Sequence, residues 1–341
     1  MQKKPRKLHG GDIYRHPDVI DFSVNTNPLG TPESVKRAVQ ESVAKIEHYP
    51  DVRCEALREA ISRFEQVNME EILCGNGAAE LFFAAVQAVW PQKALVIAPS
   101  FSEYEEALRS VGAEVEYYYL CEEDNFQIRG DYVDKLSEEI DMIFLCNPNN
   151  PTGQTIDRDM LIKILDRCKK QNIVVILDEC FLEFLDEPNR YEMSDLRGEY
   201  PNLLIIKAFT KIFSMPGLRL GYAISSNQDI LEEMSWKLQQ WNVSVPAQMA
   251  GVAALEKTRE YVSGQREYMR NIMKMMGYVV FASKANYLFF KGRPGLEKEA
   301  LEAGFLIRDC QNYEGLSEGF YRIAVRTKEE NERLITWLGR L

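Results

Sequence analysis

No apolar run in this 341-residue sequence approaches the roughly 20 residues that a membrane-spanning helix requires, so we expect no association with a membrane. Histidine is also scarce: His9, His16 and His48 are too far apart to form an obvious metal cluster. The seven cysteines are an odd number at scattered spacings, which predicts neither a disulfide framework nor a Cys-x-x-Cys metal site. We therefore expect no bound metal.

Basic residues are outnumbered by acidic ones, with 41 Lys and Arg against 52 Asp and Glu and a net charge of -11. This acidic balance argues against a nucleic-acid binder, because phosphate backbones select for basic surfaces. Hydrophobic residues at 45% and charged residues at 27% are typical of a globular protein. Several cysteines lie in apolar runs, as small core residues of a reducing compartment do. We therefore predict a cytoplasmic protein.

Short apolar runs alternate with helical patterns from about residue 72 onward. Such runs are typical of strands that are buried on both faces of a mostly parallel sheet. The predicted strands are 71–74, 94–98, 115–120, 142–146, 173–177, 203–207 and 218–224, and the predicted helices are 33–47, 55–66, 78–90, 101–111, 157–170 and 227–241. We therefore predict an α/β protein with a mostly parallel seven-stranded sheet between helices.

The pattern changes after about residue 242. Two helices are predicted at 247–255 and 259–275, and a mixture of strands and helix follows at 278–281, 285–290, 296–303, 306–308 and 321–325. This mixture predicts a smaller α+β domain. We expect a large domain over residues 41–245 and a small domain formed by residues 1–40 together with 246–341.

Two cationic residues follow the predicted strands, and ligands bind beyond the carboxyl ends of parallel strands. Lys211 comes after the strand 203–207 and before a Pro-Gly turn, which places its amine at the sheet edge. Desolvation and nearby cations lower the pKa of such an amine, which frees its lone pair for Schiff-base chemistry. Arg219, eight residues later, carries a planar guanidinium that suits a phosphate. Alone, either residue would more often be a solvated surface charge.

Other strand ends supply the remaining parts of a site. Residues 75–80 (Gly-Asn-Gly-Ala-Ala-Glu) open a helix with small residues, so the first-turn N–H groups can receive a phosphate. Asp178 ends a strand and can pair with a protonated pyridine nitrogen. Asn150 offers an amide N–H to a ring hydroxyl, and Phe101 offers a ring face for stacking. Together with Lys211 they match the requirements of pyridoxal phosphate, so we predict this cofactor.

Four motifs resemble those of fold-type I pyridoxal-phosphate enzymes of the aminotransferase class I/II superfamily. They are Gly-Asn-Gly-x-x-Glu at 75–80, Asn-Pro-x-Asn-Pro-Thr-Gly at 147–153, Asp-Glu-x-Phe at 178–181 and Thr-Lys-x7-Arg-x-Gly-Tyr at 210–222. The resemblance runs from His9 to about Arg326, and it is strongest to the branch of histidinol-phosphate aminotransferases and threonine-phosphate decarboxylases. It implies a fold-type I architecture with a large and a small domain.

The resemblance also implies a role for individual residues. Lys211 would form the Schiff base and, with Asp178, would be catalytic. The implied cofactor ligands are Gly77, Ala78, Ala79, Phe101, Asn150, Asp178, Thr210, Lys211 and Arg219. The family tyrosine that reaches the cofactor phosphate of the other subunit maps to Tyr49, which implies a homodimer with shared active sites. Ala208 departs from the pattern, because a phosphate-binding Ser or Thr is common at its position.

A small phosphorylated amino acid is the substrate class that the resemblance implies. Arg322 matches the arginine that grips an amino-acid carboxylate, and Arg308 could hold a second anion such as a substrate phosphate. His9, Asn27 and Gly30, in a segment expected to close over the cofactor, complete the predicted substrate site together with Asn150.

Two activities fit this branch. Three segments, 9–11, 215–222 and 307–310, resemble those of threonine-phosphate decarboxylases of cobalamin biosynthesis. This resemblance implies a decarboxylase that converts L-threonine O-3-phosphate into (R)-1-aminopropan-2-yl phosphate. Phe181, where aminotransferases usually have tyrosine, favours the same branch. The alternatives are a histidinol-phosphate-type aminotransferase that uses 2-oxoglutarate and a binding protein that keeps the fold without turnover. The sequence leaves the activity open, because decarboxylation and transamination differ by one torsion at the substrate Cα. Serine phosphate, which lacks only one methyl group, also stays open as a substrate.

Overall fold

The structure, a computed structural model, describes residues 9–255 and 262–341. The strands are β1 (Ile20–Asp21), β2 (Ile72–Gly75), β3 (Lys93–Ala98), β4 (Glu114–Tyr119), β5 (Met142–Cys146), β6 (Val174–Asp178), β7 (Leu203–Ala208), β8 (Gly221–Ile224), β9 (Val279–Val280), β10 (Tyr287–Lys291), β11 (Phe305–Leu306), β12 (Arg308–Asp309) and β13 (Phe320–Ala324). The helices are α1 (Glu33–Ser42), α2 (Glu55–Glu65), α3 (Ala78–Val89), α4 (Glu103–Ser110), α5 (Arg158–Gln171), α6 (Phe209–Ile212), α7 (Gln228–Lys237), α8 (Val245–Leu255), α9 (Val262–Met275), α10 (Leu296–Glu302) and α11 (Lys328–Leu338).

A seven-stranded sheet with the order β2-β8-β7-β6-β5-β3-β4 forms the centre of the protein. Strand β8 is antiparallel to both of its neighbours, whereas the pairs β7-β6, β6-β5, β5-β3 and β3-β4 are parallel. Strands β5 and β7 are buried along their whole length and are mostly apolar, as strands covered by helices on both faces must be. The predicted mostly parallel seven-stranded sheet is confirmed.

The predicted strand 218–224 is shorter in the structure, where β8 begins at Gly221. Residues Pro216–Leu218 form a 3-10 turn, and Arg219 follows with a φ of 56°. Proline fixes its own φ and cannot donate to a strand ladder, and a left-handed residue breaks extended geometry. The turn therefore delays the strand, and it places Arg219 at the sheet edge instead of inside the ladder.

The C-terminal helix α11 is absent from the sequence predictions, although the sequence carries a signal for it. The Thr327 side chain accepts a hydrogen bond from the Glu330 N–H, and the Glu330 side chain accepts one from the Thr327 N–H. This reciprocal pair is the Ser/Thr-x-x-Glu capping box that marks a helix start.

A second, antiparallel sheet with the order β12-β13-β10-β9 packs on its own core, and β1 pairs in parallel with β11. Helices α1 and α8 pack against each other, and they contribute Val35, Ala247, Ala250 and Ala254 to the larger core around the seven-stranded sheet. The proposed division into residues 41–245 and residues 1–40 with 246–341 stays a prediction. The predicted helix start at residue 259 lies outside the described residues. In the described ranges, no helix is long and apolar enough to cross a membrane.

The topology brings distant parts of the chain to one edge of the large sheet. Asn150 follows β5, Asp178 ends β6, and Lys211 follows β7. Because these three strands are parallel neighbours, their carboxyl ends lie side by side.

Candidate active site

Lys211 lies on the short helix α6, directly beyond the carboxyl end of β7. Its Nζ is 5.4 Å from the centre of the Phe181 ring, and it keeps partial access to solvent through a cavity. Burial, followed by the positive charge of Arg322, lowers the pKa of Lys211 to about 8. At neutral pH such an amine is a free base in about one molecule in ten, against fewer than about one in a thousand for an ordinary lysine. The structure therefore supplies a nucleophilic amine.

Asp178 presents a buried carboxylate on the neighbouring strand, with only 4% of its surface exposed. The Tyr104 hydroxyl donates to its Oδ2 at 2.5 Å, and the Cys180 backbone N–H donates to its Oδ1 at 2.9 Å. Burial raises the pKa of Asp178, although the hydrogen bonds from Cys180 and Tyr104 oppose that rise. A carboxylate in this environment is stabilised by a cationic partner, such as a protonated ring nitrogen.

Gly77 and Arg219 form a cup for an anion at the start of α3. Gly77 has a φ of 89°, and no side chain caps the helix. A Cβ on Gly77 would lie 2.5 Å from Nη2 of Arg219, and a Cβ on Gly221 would lie 2.7 Å from the backbone nitrogen of Ala78. Glycine at both positions therefore lets the guanidinium and the first-turn N–H groups, including that of Ala79, approach the same space. N–H groups with no partner in their own helix beside a guanidinium form a phosphate site.

A cavity of about 810 Å³ opens above these strand ends, and its lining includes His9, Phe101, Asn150, Lys211, Arg219, Arg308 and Arg322. Seven residues that the sequence predicts for the site therefore meet in one space. Its lining also includes the ion pair of Arg326 with Glu330. The cavity wall is thus rich in cations, which suits a substrate and a cofactor that both carry negative charge.

Arg308 and Arg322 occupy paired positions on the antiparallel strands β12 and β13. They are only 8% and 6% exposed. Arg322 donates from Nη1 to Oδ1 of Asn150 at 2.6 Å and from Nη2 to the carbonyl of Ser23 at 2.7 Å. Its buried Nε has no hydrogen-bond partner among the described residues. An unpartnered buried donor of this kind is expected where a ligand binds.

Two of the predicted N-terminal residues, His9 and Asn27, have different surroundings, because only His9 is among the described residues that line the cavity. His9 lines the cavity, 6.0 Å from the Phe101 ring, and its Nε2 lies 2.8 Å from Oε1 of Glu103. Asn27 is buried, and its Nδ2 donates to the Ile212 carbonyl at 2.9 Å. Its Oδ1 accepts from the N–H of Leu29 at 3.0 Å, so its amide is engaged with backbone and holds α6. Asn27 is not among the described residues that line the cavity.

Three further predicted residues are not among the described residues that line the cavity. Thr210 is buried next to Lys211 on α6. Gly30, with a φ of 77°, donates its N–H to the Asn27 carbonyl and closes a turn. Tyr49 is 78% exposed, stacks on Trp241 with 4.5 Å between ring centres, and is not among the described residues lining the cavity of its own chain.

Two groups near the site were not predicted from the sequence. Tyr104, which bonds to Asp178, stacks on Phe144 inside the core, and nothing in its sequence context marks it. Tyr313 lines the cavity under the Arg308 guanidinium, with 5.2 Å from the guanidinium carbon to the ring centre. Its position after the strand containing Arg308 is the one weak signal for it.

A buried charge cluster lies below the site, and the sequence did carry a signal for it. Lys207, inside an apolar strand and 3% exposed, has its Nζ near the carboxylates of Glu65 (2.8 Å), Glu192 (3.2 Å), Glu183 (3.5 Å) and Glu179 (3.7 Å). Although burial alone would lower the pKa of Lys207, the nearby carboxylates hold it well above its ordinary value. A lysine in a buried strand requires such partners.

A lysine amine beside a buried aspartate, next to a phosphate cup at the edge of a mostly parallel sheet, defines a fold-type I pyridoxal-phosphate enzyme. Residues 17–338 match the family described as aminotransferase class I and II, and the chain belongs to this family. The cofactor of the family is pyridoxal 5'-phosphate.

Individual relatives represent both predicted branches. A threonine-phosphate decarboxylase from Salmonella typhimurium is 36% identical over 351 residues, with 97% of this chain and 95% of the relative covered. A histidinol-phosphate aminotransferase from Desulfitobacterium hafniense is 34% identical over 357 residues, with 100% and 97% covered. The crystal structure of the histidinol-phosphate aminotransferase from Clostridium acetobutylicum has a TM-score of 0.87 and 29% identity, with 94% of this chain and 98% of that chain covered.

The described residues fit pyridoxal phosphate. The glycine at position 77 leaves a space that a Cβ would fill beside Arg219, and a phosphate can occupy such a cradle. Asp178 gains from a protonated ring nitrogen, and Lys211 has the lowered pKa that bonding to an aldehyde requires. Groups that can donate to a phosphate, pair with a protonated ring nitrogen and bond to an aldehyde therefore lie on one sheet edge.

Proposed function

We propose that the protein is a pyridoxal-phosphate-dependent decarboxylase in the cytoplasm, which converts L-threonine O-3-phosphate into (R)-1-aminopropan-2-yl phosphate for cobalamin biosynthesis. The observation that carries this proposal is the pair of buried arginines, Arg308 and Arg322, at paired positions on β12 and β13 and facing the same cavity as Lys211. L-threonine O-3-phosphate carries a carboxylate and a phosphate on neighbouring carbons. Two adjacent guanidinium groups can bind both anions at once.

In this proposal the anion sites divide between cofactor and substrate. Gly77, Ala78, Ala79, Thr210 and Arg219 hold the cofactor phosphate, and Tyr49 of a second subunit adds a further ligand. Asp178 holds a proton on the ring nitrogen, Asn150 donates to the ring hydroxyl, and Phe101 stacks on the ring. Arg322 then binds the substrate carboxylate and Arg308 the substrate phosphate, while His9, Asn27 and Gly30 belong to the segment that closes the site.

The cofactor, when bound, supplies an electron sink for the charge left at the substrate Cα when a bond there breaks. The residues of this chain decide which bond that is. The two arginine anchors would fix the orientation of the substrate through binding energy that does not involve the reacting bond. For decarboxylation the anchors would have to place the bond from Cα to the carboxylate at the position where a bond is broken. For transamination they must place the Cα–H there, and the Lys211 amine moves the proton.

The second candidate is a histidinol-phosphate-type aminotransferase that uses 2-oxoglutarate. The aminotransferase relatives favour it, since one is 34% identical and another superposes with a TM-score of 0.87. 2-Oxoglutarate also carries two anions, so the arginine pair suits it as well. Against it stands Phe181, which lies below the Lys211 amine and has no hydroxyl to donate to the ring.

The deciding experiment measures carbon dioxide release from L-threonine O-3-phosphate with no keto acid present. We expect release with the purified holoenzyme, and we expect none with Lys211→Ala, which should also lose the visible absorption of the bound cofactor. Formation of glutamate that depends on both 2-oxoglutarate and histidinol phosphate as the amine donor, without carbon dioxide release, would make the protein an aminotransferase instead.

We also propose a homodimer with shared active sites. Tyr49 lies on an exposed apolar surface together with Ile46, Val52 and Trp241, and such a surface is typical of an interface. Mixing Lys211→Ala with Tyr49→Ala subunits tests the sharing. Suppose that each site takes Lys211 from one chain and Tyr49 from the other. In an equal mixture about half of all dimers are then heterodimers, and each heterodimer has one intact site, so about a quarter of the wild-type number of active sites should form. If each site uses a single chain, activity does not return.

A further inference from the structure

Arg308 is a buried cation that has no anionic partner among the described residues. It lies on β12, the two-residue edge strand of the small sheet, and is 8% exposed. No carboxylate lies within ion-pair distance of it in the described part of the chain, whereas Arg326 in the same cavity is paired with Glu330. A buried charge requires compensation, and a long side chain on an edge strand has many rotamers to lose. Something must therefore hold the guanidinium in place before an anion arrives.

The ring of Tyr313 is the group in position to hold it. The guanidinium carbon of Arg308 lies 5.2 Å from the centre of this ring, within the range of a cation–π contact. The ring is itself fixed, because Tyr313 is 6% exposed and its N–H donates to the Cys310 carbonyl at 3.0 Å, closing a tight turn after β12. The turn thus places the ring of Tyr313 next to the guanidinium of Arg308, five residues earlier in the chain.

The contact with the ring is electrostatic and takes up none of the hydrogen-bond donors of the guanidinium. One edge donor, Nη2, bonds to Oδ1 of Asn312 at 2.9 Å. Because an arginine binds phosphate or carboxylate through its N–H groups, the contact with Tyr313 can hold the guanidinium without consuming the donors that an anion requires. Both Arg308 and Tyr313 line the cavity.

We propose that Tyr313 is a positioning residue for substrate recognition, whose ring holds the Arg308 guanidinium toward the anionic group of the substrate. This inference rests on the proposed function, in which Arg308 binds the substrate phosphate. The ring carries the effect and the hydroxyl contributes little. The Tyr313 hydroxyl is 3.4 Å from Oδ1 of Asn150, an oxygen that already accepts from Arg322 at 2.6 Å, and a 3.4 Å contact is long for a hydroxyl donor.

The experiment compares Tyr313→Leu with Tyr313→Phe in the holoenzyme, using O-phospho-L-threonine as substrate. We expect Tyr313→Leu to raise KM about five- to thirtyfold, as loss of a partly desolvated cation–π contact predicts, with kcat changed less than about threefold. The Phe variant keeps the ring and should restore KM to within about threefold of the wild type. The dissociation constant of the cofactor, measured from its visible absorption, should stay unchanged in both variants.

A double-variant cycle shows whether the effect passes through Arg308. In an Arg308→Ala background, Tyr313→Leu should cause no further rise in KM, because coupled residues are not additive. The matched control is Tyr119→Leu, which removes a tyrosine that contacts Glu314 of the same loop but does not contact Arg308, and it should leave KM unchanged. Additive losses, equal damage from Phe and Leu, or a parallel loss of cofactor affinity would each overturn the proposal.

The same variants separate this inference from the proposed function. If the wild type releases no carbon dioxide from O-phospho-L-threonine but transaminates histidinol phosphate, the proposed decarboxylation fails. The KM of the variants for histidinol phosphate then decides the role of Tyr313. If the wild type decarboxylates and Tyr313→Leu has the wild-type KM, the role of Tyr313 fails alone.

Discussion

The bonding of Lys211 to pyridoxal phosphate should depend on pH with an inflection near pH 8. Only the free amine attacks the aldehyde, and the pKa of Lys211 is lowered to about 8, first by burial and then by the charge of Arg322. The rate of cofactor incorporation into cofactor-free protein should therefore rise about tenfold per pH unit below about pH 8 and level off above it. An ordinary lysine would keep rising to a pH above about 10.

Substitution of Arg322 separates the effect of its charge from that of burial. Arg322→Met removes the positive charge, so the pKa of Lys211 should rise and the inflection should move to higher pH, between about 8 and about 10.4. Arg322→Lys keeps a positive charge near the amine and should keep the inflection close to that of the wild type. Both variants lose the guanidinium that donates to Asn150 and to Ser23, so this pair isolates the charge.

Stopped-flow absorbance measures the incorporation rate, and borohydride reduction followed by peptide mapping identifies Lys211 as the bonded residue. As a control, the rate at which the free cofactor reacts with an acetylated lysine amide is measured over the same pH range. This control shows how much of the pH dependence comes from the titration of the cofactor itself. A wild-type inflection near pH 10, or equal inflections in Arg322→Met and Arg322→Lys, would refute the electrostatic explanation.

Three further substitutions test other parts of the structure. Gly77→Ala should weaken cofactor binding roughly tenfold or more, because the new Cβ would lie 2.5 Å from Arg219 in a strained backbone conformation. Absorption titration measures this affinity, and the control Gly198→Ala, which has no atom within 4 Å of its Cβ, should bind the cofactor normally. Lys207→Met should lower the free energy of unfolding by about 3–5 kcal/mol, because it leaves buried carboxylates unpaired. Urea denaturation measures this free energy, and a loss below about 1 kcal/mol would contradict a stabilising ion-pair role for Lys207. Arg308→Ala should raise KM for phosphorylated substrates about ten- to a hundredfold while cofactor affinity stays constant, and equal losses in both would contradict the assignment of Arg308 to the substrate.

The chemical groups of the site are local features of the sequence. Lys211, Asp178 and Asn150 each follow an apolar run, and the alternation of runs with helical patterns predicts a parallel sheet whose carboxyl ends share one edge. The end of a strand can be predicted from the sequence because an apolar run stops where the chain leaves the core. Strand starts are less certain, as β8 shows, because the turn at Pro216–Leu218 overrides the apolar pattern that precedes Gly221.

Contacts between distant segments could not be predicted in this way. The sequence places Asn27 at a substrate site, but the structure engages its amide with the backbone of α6 at Ile212, 185 residues away. Tyr104 reaches Asp178 across 74 residues, and the carboxylates around Lys207 come from separate segments that precede its strand, such as Glu65 in α2 and Glu192 after β6. Each contact depends on which strands are neighbours, and no local pattern encodes that order.

The sequence by itself determined the fold class, the family and the kinds of group that the site contains, because periodicity and motif spacing are properties of short segments. Only the tertiary structure decided that β8 is inserted antiparallel between β2 and β7, that Arg308 lies opposite Arg322, and that Tyr313 stacks on Arg308. It also decided the pKa of Lys211, since burial and the charge of Arg322, 111 positions further along the chain, act through space rather than along the sequence.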